Sequence, residues 1–255
     1  MDFVISASTD IGIKKNTNQD SLTVKKINTP SGKMVFALLC DGMGGLSKGE
    51  VASAEVIYAF DRWVQTQLPI LSKKEIDKMV IFSQWKNIIK DENAKIKNYG
   101  KSLGINLGTT VVAMLITETD YYIMNVGDSR AYEIQREAYQ ITKDQTLVAK
   151  EIENGNLTVA EAEKDPRRSV LLQCVGAVDI VEPDFFFGET RKDAVYMLCS
   201  DGFRHEITSD EIYTYLNAKV MTDEQSMKKN MDYLINLNKS RMEQDNISVI
   251  SIRTF

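Results

Sequence analysis

Apolar residues crowd into short runs along most of this chain and recur at helical spacing in two longer stretches. Lys33–Cys40 (KMVFALLC) is almost wholly apolar, the pattern of a buried strand. Further strand patterns lie at Phe3–Ser8, Asp20–Lys26, Thr109–Ile116, Tyr121–Val126, Arg130–Gln135, Ala138–Ile141, Val195–Cys199 and Asn246–Arg253. Turn chemistry sits between them at Asn28-Thr29-Pro30-Ser31-Gly32 and Gly127-Asp128-Ser129, and a glycine-rich turn is predicted over Asp41–Gly45. In Ser47–Leu68, Val56, Phe60, Trp63 and Gln67 recur at helical spacing beside Ile57 and Val64, and Pro69 ends the pattern. A second helix is predicted over Lys73–Tyr99, with Ile76, Val80, Trp85, Ile88, Ile89 and Ile96 on its apolar stripe. Two such consecutive helices are expected to pair as a hairpin. Gln145–Glu163 is helical but broken at Asn154-Gly155; shorter helices are predicted from a Ser209 cap through Leu216 and over Thr222–Lys239.

Strands, two long helices, more strands, two shorter helices and a last strand do not alternate as βαβα. The sheet is therefore expected to be mainly antiparallel, in an α+β layered fold. No internal repeat or linker divides the chain, so residues 1–255 are expected to form one domain.

Of the 255 residues, 43% are hydrophobic and 26% charged, which argues against disorder. The net charge is −5 and no basic patch stands out, so nucleic acid is not an expected partner. The longest apolar run, Met34–Cys40, has seven residues, whereas a membrane span needs about 20. The first residues carry no signal-peptide pattern, and a cytoplasmic protein with no membrane span is expected. Cys40, Cys174 and Cys199 are odd in number and fit neither a disulfide framework nor a zinc motif; they read as small core residues.

The candidate chemistry lies where strands end. Asp41 follows FALLC and precedes Gly42, Asp201 follows YMLCS and precedes Gly202, Asp128 follows IMNVG, and Asp245 immediately precedes the last strand. Carboxylates converging at a strand edge would repel one another unless a cation neutralised them. Hard divalent ions such as Mg²⁺ and Mn²⁺ prefer such oxygen ligands. Asp-Gly is also an ordinary turn signal, and spacing alone does not show convergence. Three glycines within Asp41–Gly45 permit close backbone approach to a ligand. They complete neither a P-loop nor a G-x-G-x-x-G fingerprint, which argues against nucleotide binding. The sole histidine, His205, lies in a polar stretch and reads as a surface or supporting residue rather than the base of a nucleophilic dyad.

Taken in order, these pieces resemble the PPM (type 2C) family of metal-dependent protein serine/threonine phosphatases, in its bacterial form. Thr9-Asp10-Ile11-Gly12 through Asn18-Gln19-Asp20 is similar to the family's opening D-x-G…N-E-D motif. Asp41–Gly45 with Gly49-Glu50-Val51-Ala52-Ser53 resembles D-G-M-G-G…G-E-x-A-S, and Gly108-Thr109-Thr110 resembles G-T-T. Asn125–Arg130 is similar to V-G-D-S-R, Thr142–Gln145 to T-x-D-H, Leu198–Gly202 to L-C-S-D-G, and Asp245–Val249 to D-N-I-T/S-V. Each motif is weak alone; seven in order along almost the whole chain are specific.

The resemblance implies a central β-sandwich of two antiparallel sheets flanked by helices, with a binuclear Mn²⁺ or Mg²⁺ centre at one end. It implies that Asp41 bridges two ions, with the Gly42 carbonyl on one and Asp201 and Asp245 on the other. Asp128 with Asp201 would hold a weaker third ion, and Asp20 would orient the attacking water. Direct hydrolysis of phosphoserine and phosphothreonine in proteins follows, with no phospho-enzyme and a serine/threonine kinase as counterpart. Several positions depart from the family. Its phosphate-gripping arginine falls at Lys15, which keeps the charge but loses the two-pronged fork. Gln19, Met43, Gln145 and Gln173 replace an acid, a histidine found in some members, a histidine and an arginine. No ligand is lost. The alternatives are a catalytically weak phosphatase-like binding module in a kinase signalling pathway, and a small-molecule phosphatase on the same scaffold.

Overall fold

The computed structural model describes residues 1–43 and 48–255. The strands are β1 (Phe3–Asp10), β2 (Ser21–Thr29), β3 (Gly32–Cys40), β4 (Gly42–Met43), β5 (Gly108–Thr109), β6 (Val111–Ile116), β7 (Asp120–Val126), β8 (Arg130–Ile134), β9 (Ala138–Gln140), β10 (Asp184–Glu189), β11 (Val195–Cys199) and β12 (Ile247–Thr254). The helices are α1 (Gly49–Thr66), α2 (Leu68–Leu71), α3 (Lys78–Leu103), α4 (Leu147–Glu153), α5 (Val159–Ala162), α6 (Asp201–Arg204), α7 (Ser209–Leu216) and α8 (Glu224–Ser240).

One sheet runs β1-β12-β11-β8-β9 and the other β10-β7-β6-β3-β2, with β4 and β5 forming a short separate pair. The pairings are antiparallel, as the absence of βαβ alternation predicts. Alternation along β3 explains its continuous apolar run. Met34, Phe36, Leu38 and Cys40 face α1 and α3, while Val35, Ala37 and Leu39 face the other sheet. β12 repeats the logic: Ile247 and Val249 pack toward α6–α8, and Ile250 and Ile252 pack between the sheets. Three apolar layers result, giving the helix–sheet–sheet–helix sandwich that the resemblance implies.

α1 and α3 do pack together, through an aromatic cluster. Phe60, Trp63 and Trp85 stand over Phe36 with ring centroids 5.5–6.1 Å apart, and the Trp63 indole donates to Gln84 at 2.6 Å. Several predicted boundaries move. α3 begins at Lys78 because the Asp77 carboxylate accepts the Met79 N–H, and it ends at Gly104 in the left-handed region. Val80 consequently faces solvent, and Ile81 takes the buried place. Pro69 opens the short α2 as well as closing α1, being tolerated in a first turn. Gly42–Met43 pair with Gly108–Thr109 as strands rather than turning; the rest of the predicted glycine-rich turn, Gly44 and Gly45, and the predicted helix start at Ser47 lie outside the described residues. Thr208, not Ser209, caps α7, in a box with Glu211. β10 and α6 were not predicted. The Gln145–Glu163 helix does break at Asn154–Gly155, where Gly155 adopts φ +75°. All three cysteines are buried thiols. Among the described residues no helix is long and apolar enough to cross a membrane.

Candidate metal centre

Register brings the predicted aspartates to one end of the sandwich. In one sheet Ser21 pairs with Cys40, and Val111 with Val126. In the other, Asp10 pairs with Ile247, and Cys199 with both Val249 and Arg130. Asp20, Asp41, Asp128, Asp201 and Asp245 each lie within two residues of one of those ends. Asp201 also opens α6, where a helix start favours negative charge.

They lie within reach of one another's charge. Burial pushes the Asp41 carboxyl well above its ordinary value, and the charges of Asp20, Asp201, Asp128 and Asp245 push it further. Asp20 is raised to about 7, chiefly by burial; the Ser248 and Ser200 hydroxyls oppose the rise, and Asp201 and Asp245 add to it. Asp128 is also raised to about 7, by burial and then by Asp201, against the pull of Arg204. Carboxylates gathered without enough positive charge make a site that a divalent cation would stabilise.

Unpaired oxygens fit the same reading. Among the described residues, both carboxylate oxygens of Asp20 and Oδ1 of Asp201 are buried with no hydrogen-bond partner within 3.5 Å. Such atoms are costly unless something accepts their lone pairs. Among the described residues no three carboxylate, imidazole or thiolate side chains form a ready-made cage. The donors available are therefore separate carboxylates and the Gly42 carbonyl, with water completing a shell. That suits Mg²⁺ and Mn²⁺ better than an ion enclosed by protein, since Mg²⁺ in particular retains several waters.

The surrounding hydrogen bonds fix the backbone at Asp41 and Asp128 and the loop beside Asp245. Thr110 N–H and the Thr109 hydroxyl both donate to the Asp41 carbonyl at 2.9 Å, while Asp41 N–H donates to Thr110 Oγ1 at 3.0 Å. Thr110 Oγ1 lies 2.8 Å from Ser129 Oγ, linking Asp41 to the Asp128 turn. Gly42 and Gly49 touch so closely that a Cβ on Gly42 would come 2.4 Å from the Gly49 carbonyl oxygen, so no other residue fits there. Arg204 donates to the Asp128 carbonyl at 3.1 Å, and Arg130 grips Asp144 through two bonds of 2.8 and 2.7 Å. Gln145, standing where the family motif has histidine, accepts the Gly127 N–H and donates to Asp184, both at 2.9 Å. The Asn246 amide donates to the Ile11 and Thr17 carbonyls and accepts the Gln19 N–H at 2.9 Å, so it pins the loop carrying Lys14 and Lys15 beside Asp245.

That loop forms one wall of an open cleft of about 660 Å³, whose lining includes Lys15, Asp201, Asp245, His205, Glu243 and Arg168. Lys15 Nζ lies 2.8 Å from Asp245 Oδ1. Burial alone would lower the Lys15 pKa, but the bond to Asp245 and the charges of Asp41 and Asp201 raise it, so the ammonium is held charged. Lys14 instead donates to Gln244 at the surface. Sequence reasoning missed the roles of Asn246, Arg204 and Glu243. Asn246 and Arg130 lay within recognised motifs, whereas neither Arg204 nor Glu243 carried a signal of its own.

The profile of the family described as Protein phosphatase 2C matches residues 13–243. The chain belongs to that family. Among its relatives, the serine/threonine phosphatase Stp of Listeria monocytogenes is 30% identical over 250 residues, spanning 96% of this chain and 93% of the relative. Protein phosphatase PhpP of Streptococcus pneumoniae is 30% identical over 248 residues, spanning 96% and 95%. The crystal structure of phosphatase Stp1 from Staphylococcus aureus superposes with a TM-score of 0.83 at 28% identity, covering 98% of this chain and 94% of that one. The catalytic domain of PstP, solved with two manganese ions, superposes with a TM-score of 0.76 at 26% identity, covering 99% of each chain. This member of the protein phosphatase 2C family is thus a metal-dependent protein serine/threonine phosphatase with the sandwich of its relatives.

Proposed function

We propose that this phosphatase hydrolyses phosphoserine and phosphothreonine in proteins with divalent cations, Mn²⁺ or Mg²⁺, at the end of its sandwich. Asp41, the Gly42 carbonyl, Asp201 and Asp245 would hold two of them, and Asp128 with Asp201 would serve a weaker third. The observation that carries this is the convergence of five aspartates, with buried oxygens of Asp20 and Asp201 left unpaired among the described residues. Bound ions of this kind supply Lewis acidity and ready deprotonation of water at neutral pH. Around them, Asp20 offers buried acceptor oxygens that orient water for attack on phosphorus. Lys15 offers its ammonium to the phosphate oxygens, exchanging Asp245 for the substrate. Arg204 and Thr110 hold the Asp128 and Asp41 main chain, so the carboxylates do not reorganise as charge develops.

Residues 1–255 act as one catalytic domain, a reading supported by the apolar layer the two sheets share. A serine/threonine kinase must supply the phosphorylated side chains consumed here. A cytoplasmic setting fits the three buried thiols, none of them in a disulfide. The test is turnover of a phosphothreonine peptide against a generic aryl phosphate, with Mn²⁺ and with excess chelator. Peptide turnover that appears only with Mn²⁺ is expected. Turnover that survives the chelator refutes the metal mechanism, and preference for the aryl phosphate refutes the protein substrate.

A further inference from the structure

The only histidine of the chain stands between two of the proposed ligands. His205 follows α6, and its Nε2 lies 3.5 Å from Asp201 Oδ2, at ion-pair range. Its Nδ1 lies 3.2 Å from Glu243 Oε2. The other oxygen of Glu243 accepts the N–H groups of Gln244 at 2.6 Å and Asp245 at 2.8 Å. One carboxylate therefore ties the backbone that presents Asp245, and the imidazole ties that carboxylate to Asp201. The side chains of Glu243, Asp201 and His205 are only 7%, 15% and 19% exposed, so water competes little for these contacts.

The loop needs such a hold. Met242 sits at φ +71°, a left-handed conformation uncommon for methionine, and its side chain is 66% exposed, so it contributes little packing to offset the strain. Asp245 N–H has its acceptor in Glu243 alone among the described contacts. Nearby, the buried Asn238 amide donates to the Phe203 carbonyl at 2.8 Å, and Glu243 N–H donates to the Asn238 carbonyl at 3.0 Å. These bonds fasten α8 to α6 but reach neither carboxylate. Gly202, next to Asp201, also packs against Asn246 and Asp245, but the polar side-chain link from one ligand to the other runs through His205 and Glu243.

We propose that His205 and Glu243 are a positioning pair that sets the placement of Asp201 relative to Asp245, and thereby the affinity of the site for divalent cation. This rests on the assignment of Asp201 and Asp245 as ligands under the proposed function. Outer-shell partners of metal ligands typically contribute 10–100-fold in affinity, because they fix the ligand's orientation before the ion arrives. His205→Ala removes the strut and leaves both ligands intact. Glu243→Gln keeps an oxygen for the Gln244 and Asp245 N–H groups while removing the charge opposite His205, so the loop retains its backbone bonds.

Calorimetric titration with Mn²⁺, paired with thermal melts in chelator, tests the pair. His205→Ala is expected to weaken Mn²⁺ binding about 10-fold and Glu243→Gln by somewhat less. The double variant is expected to lose no more than His205→Ala alone, because each change breaks the same link. Melting in chelator should move little for either single variant. Unchanged Mn²⁺ affinity in His205→Ala, or losses that simply add in the double variant, overturns the proposal. A melting drop with unchanged Mn²⁺ affinity overturns it as well, since the pair would then only hold the fold. A wild-type chain that binds no Mn²⁺ overturns the metal site itself.

Discussion

At the scale of single residues, this site is a problem in unbalanced charge. Asp41 lies among four other carboxylates, and each raises the cost of ionising it. Removing one charge should relieve repulsion in the protein while stripping a ligand from the cation. Asp41→Asn, Asp201→Asn and Asp245→Asn are each expected to fold and to lose at least about 100-fold in turnover, since even outer-shell changes cost 10–100-fold. Steady-state kinetics on a phosphothreonine peptide with Mn²⁺, beside a melt in chelator, checks this; full Mn²⁺ affinity in the Asp41 variant would refute the assignment. Lys15 is a second residue-scale case. Its ammonium contacts Asp245 as a point charge, without the two-pronged geometry arginine gives a phosphate. Lys15→Ala should raise KM more than it lowers kcat, and Lys15→Arg should hold or raise kcat/KM. An unchanged KM in the alanine variant, with a raised one in Lys14→Ala, would move the role to its neighbour. The aspartates were legible because each adjoins an apolar strand, so the sequence itself places it at a core edge. The pairing of His205 with Glu243 was not, because nothing local joins residues brought together only when α6 meets the end of α8.

Elements were legible where one period ran long enough. β3, β7, β11 and β12 carry their alternation or their buried run in plain view, and the register between them follows from hydrophobic faces that cannot slip by one residue. β10 escaped because Phe185, Phe186 and Phe187 do not alternate and the strand lies at a sheet edge with mixed exposure. α6 escaped because four residues are too few to show a period. The start of α3 shifted because capping by Asp77 overrode the apolar Ile76 before it. The revised face of α3 is itself testable. Trp85 is fully buried against Phe36, Phe60 and Trp63, whereas Val80 is 37% exposed. Trp85→Ala should cost about 3–5 kcal/mol of unfolding free energy. Val80→Ser should stay within about 0.5 kcal/mol. Denaturant melts compare them directly, and a loss at Val80 matching that at Trp85 would mean the helix is turned the other way.

For the whole molecule, the sandwich and its acidic end are in tension, and the tension has a sign. Asp20 and Asp128 are raised from 3.8 to about 7 in the fold. A carboxyl raised in this way binds its proton more tightly when folded than when unfolded. Its contribution to stability is complete below its unfolded pKa and is lost as pH rises through the folded one. Glu211 and Asp165, lowered to about 2 by Arg241 and Arg167, act in the opposite sense, but their contribution is already complete above about pH 4.5. His205, raised by Glu243 and Asp201 against the effect of burial, begins to add a fall only above its ordinary 6.5. The window from about pH 4.5 to 6.5 therefore reports on the carboxyls that burial raises, the acidic cluster and Glu92. In excess chelator, the melting temperature should fall across that window as pH rises. With saturating Mn²⁺ the fall should shrink or reverse, because the ion binds the ionised carboxylates of the folded chain and stabilises it by mass action. Asp20→Asn should flatten the chelator curve, since it removes that carboxyl and relieves the repulsion it exerts on Asp41. A melting temperature that climbs through the window in chelator, or a slope unchanged by Mn²⁺, would show that the aspartates at the sandwich end are not the cation site.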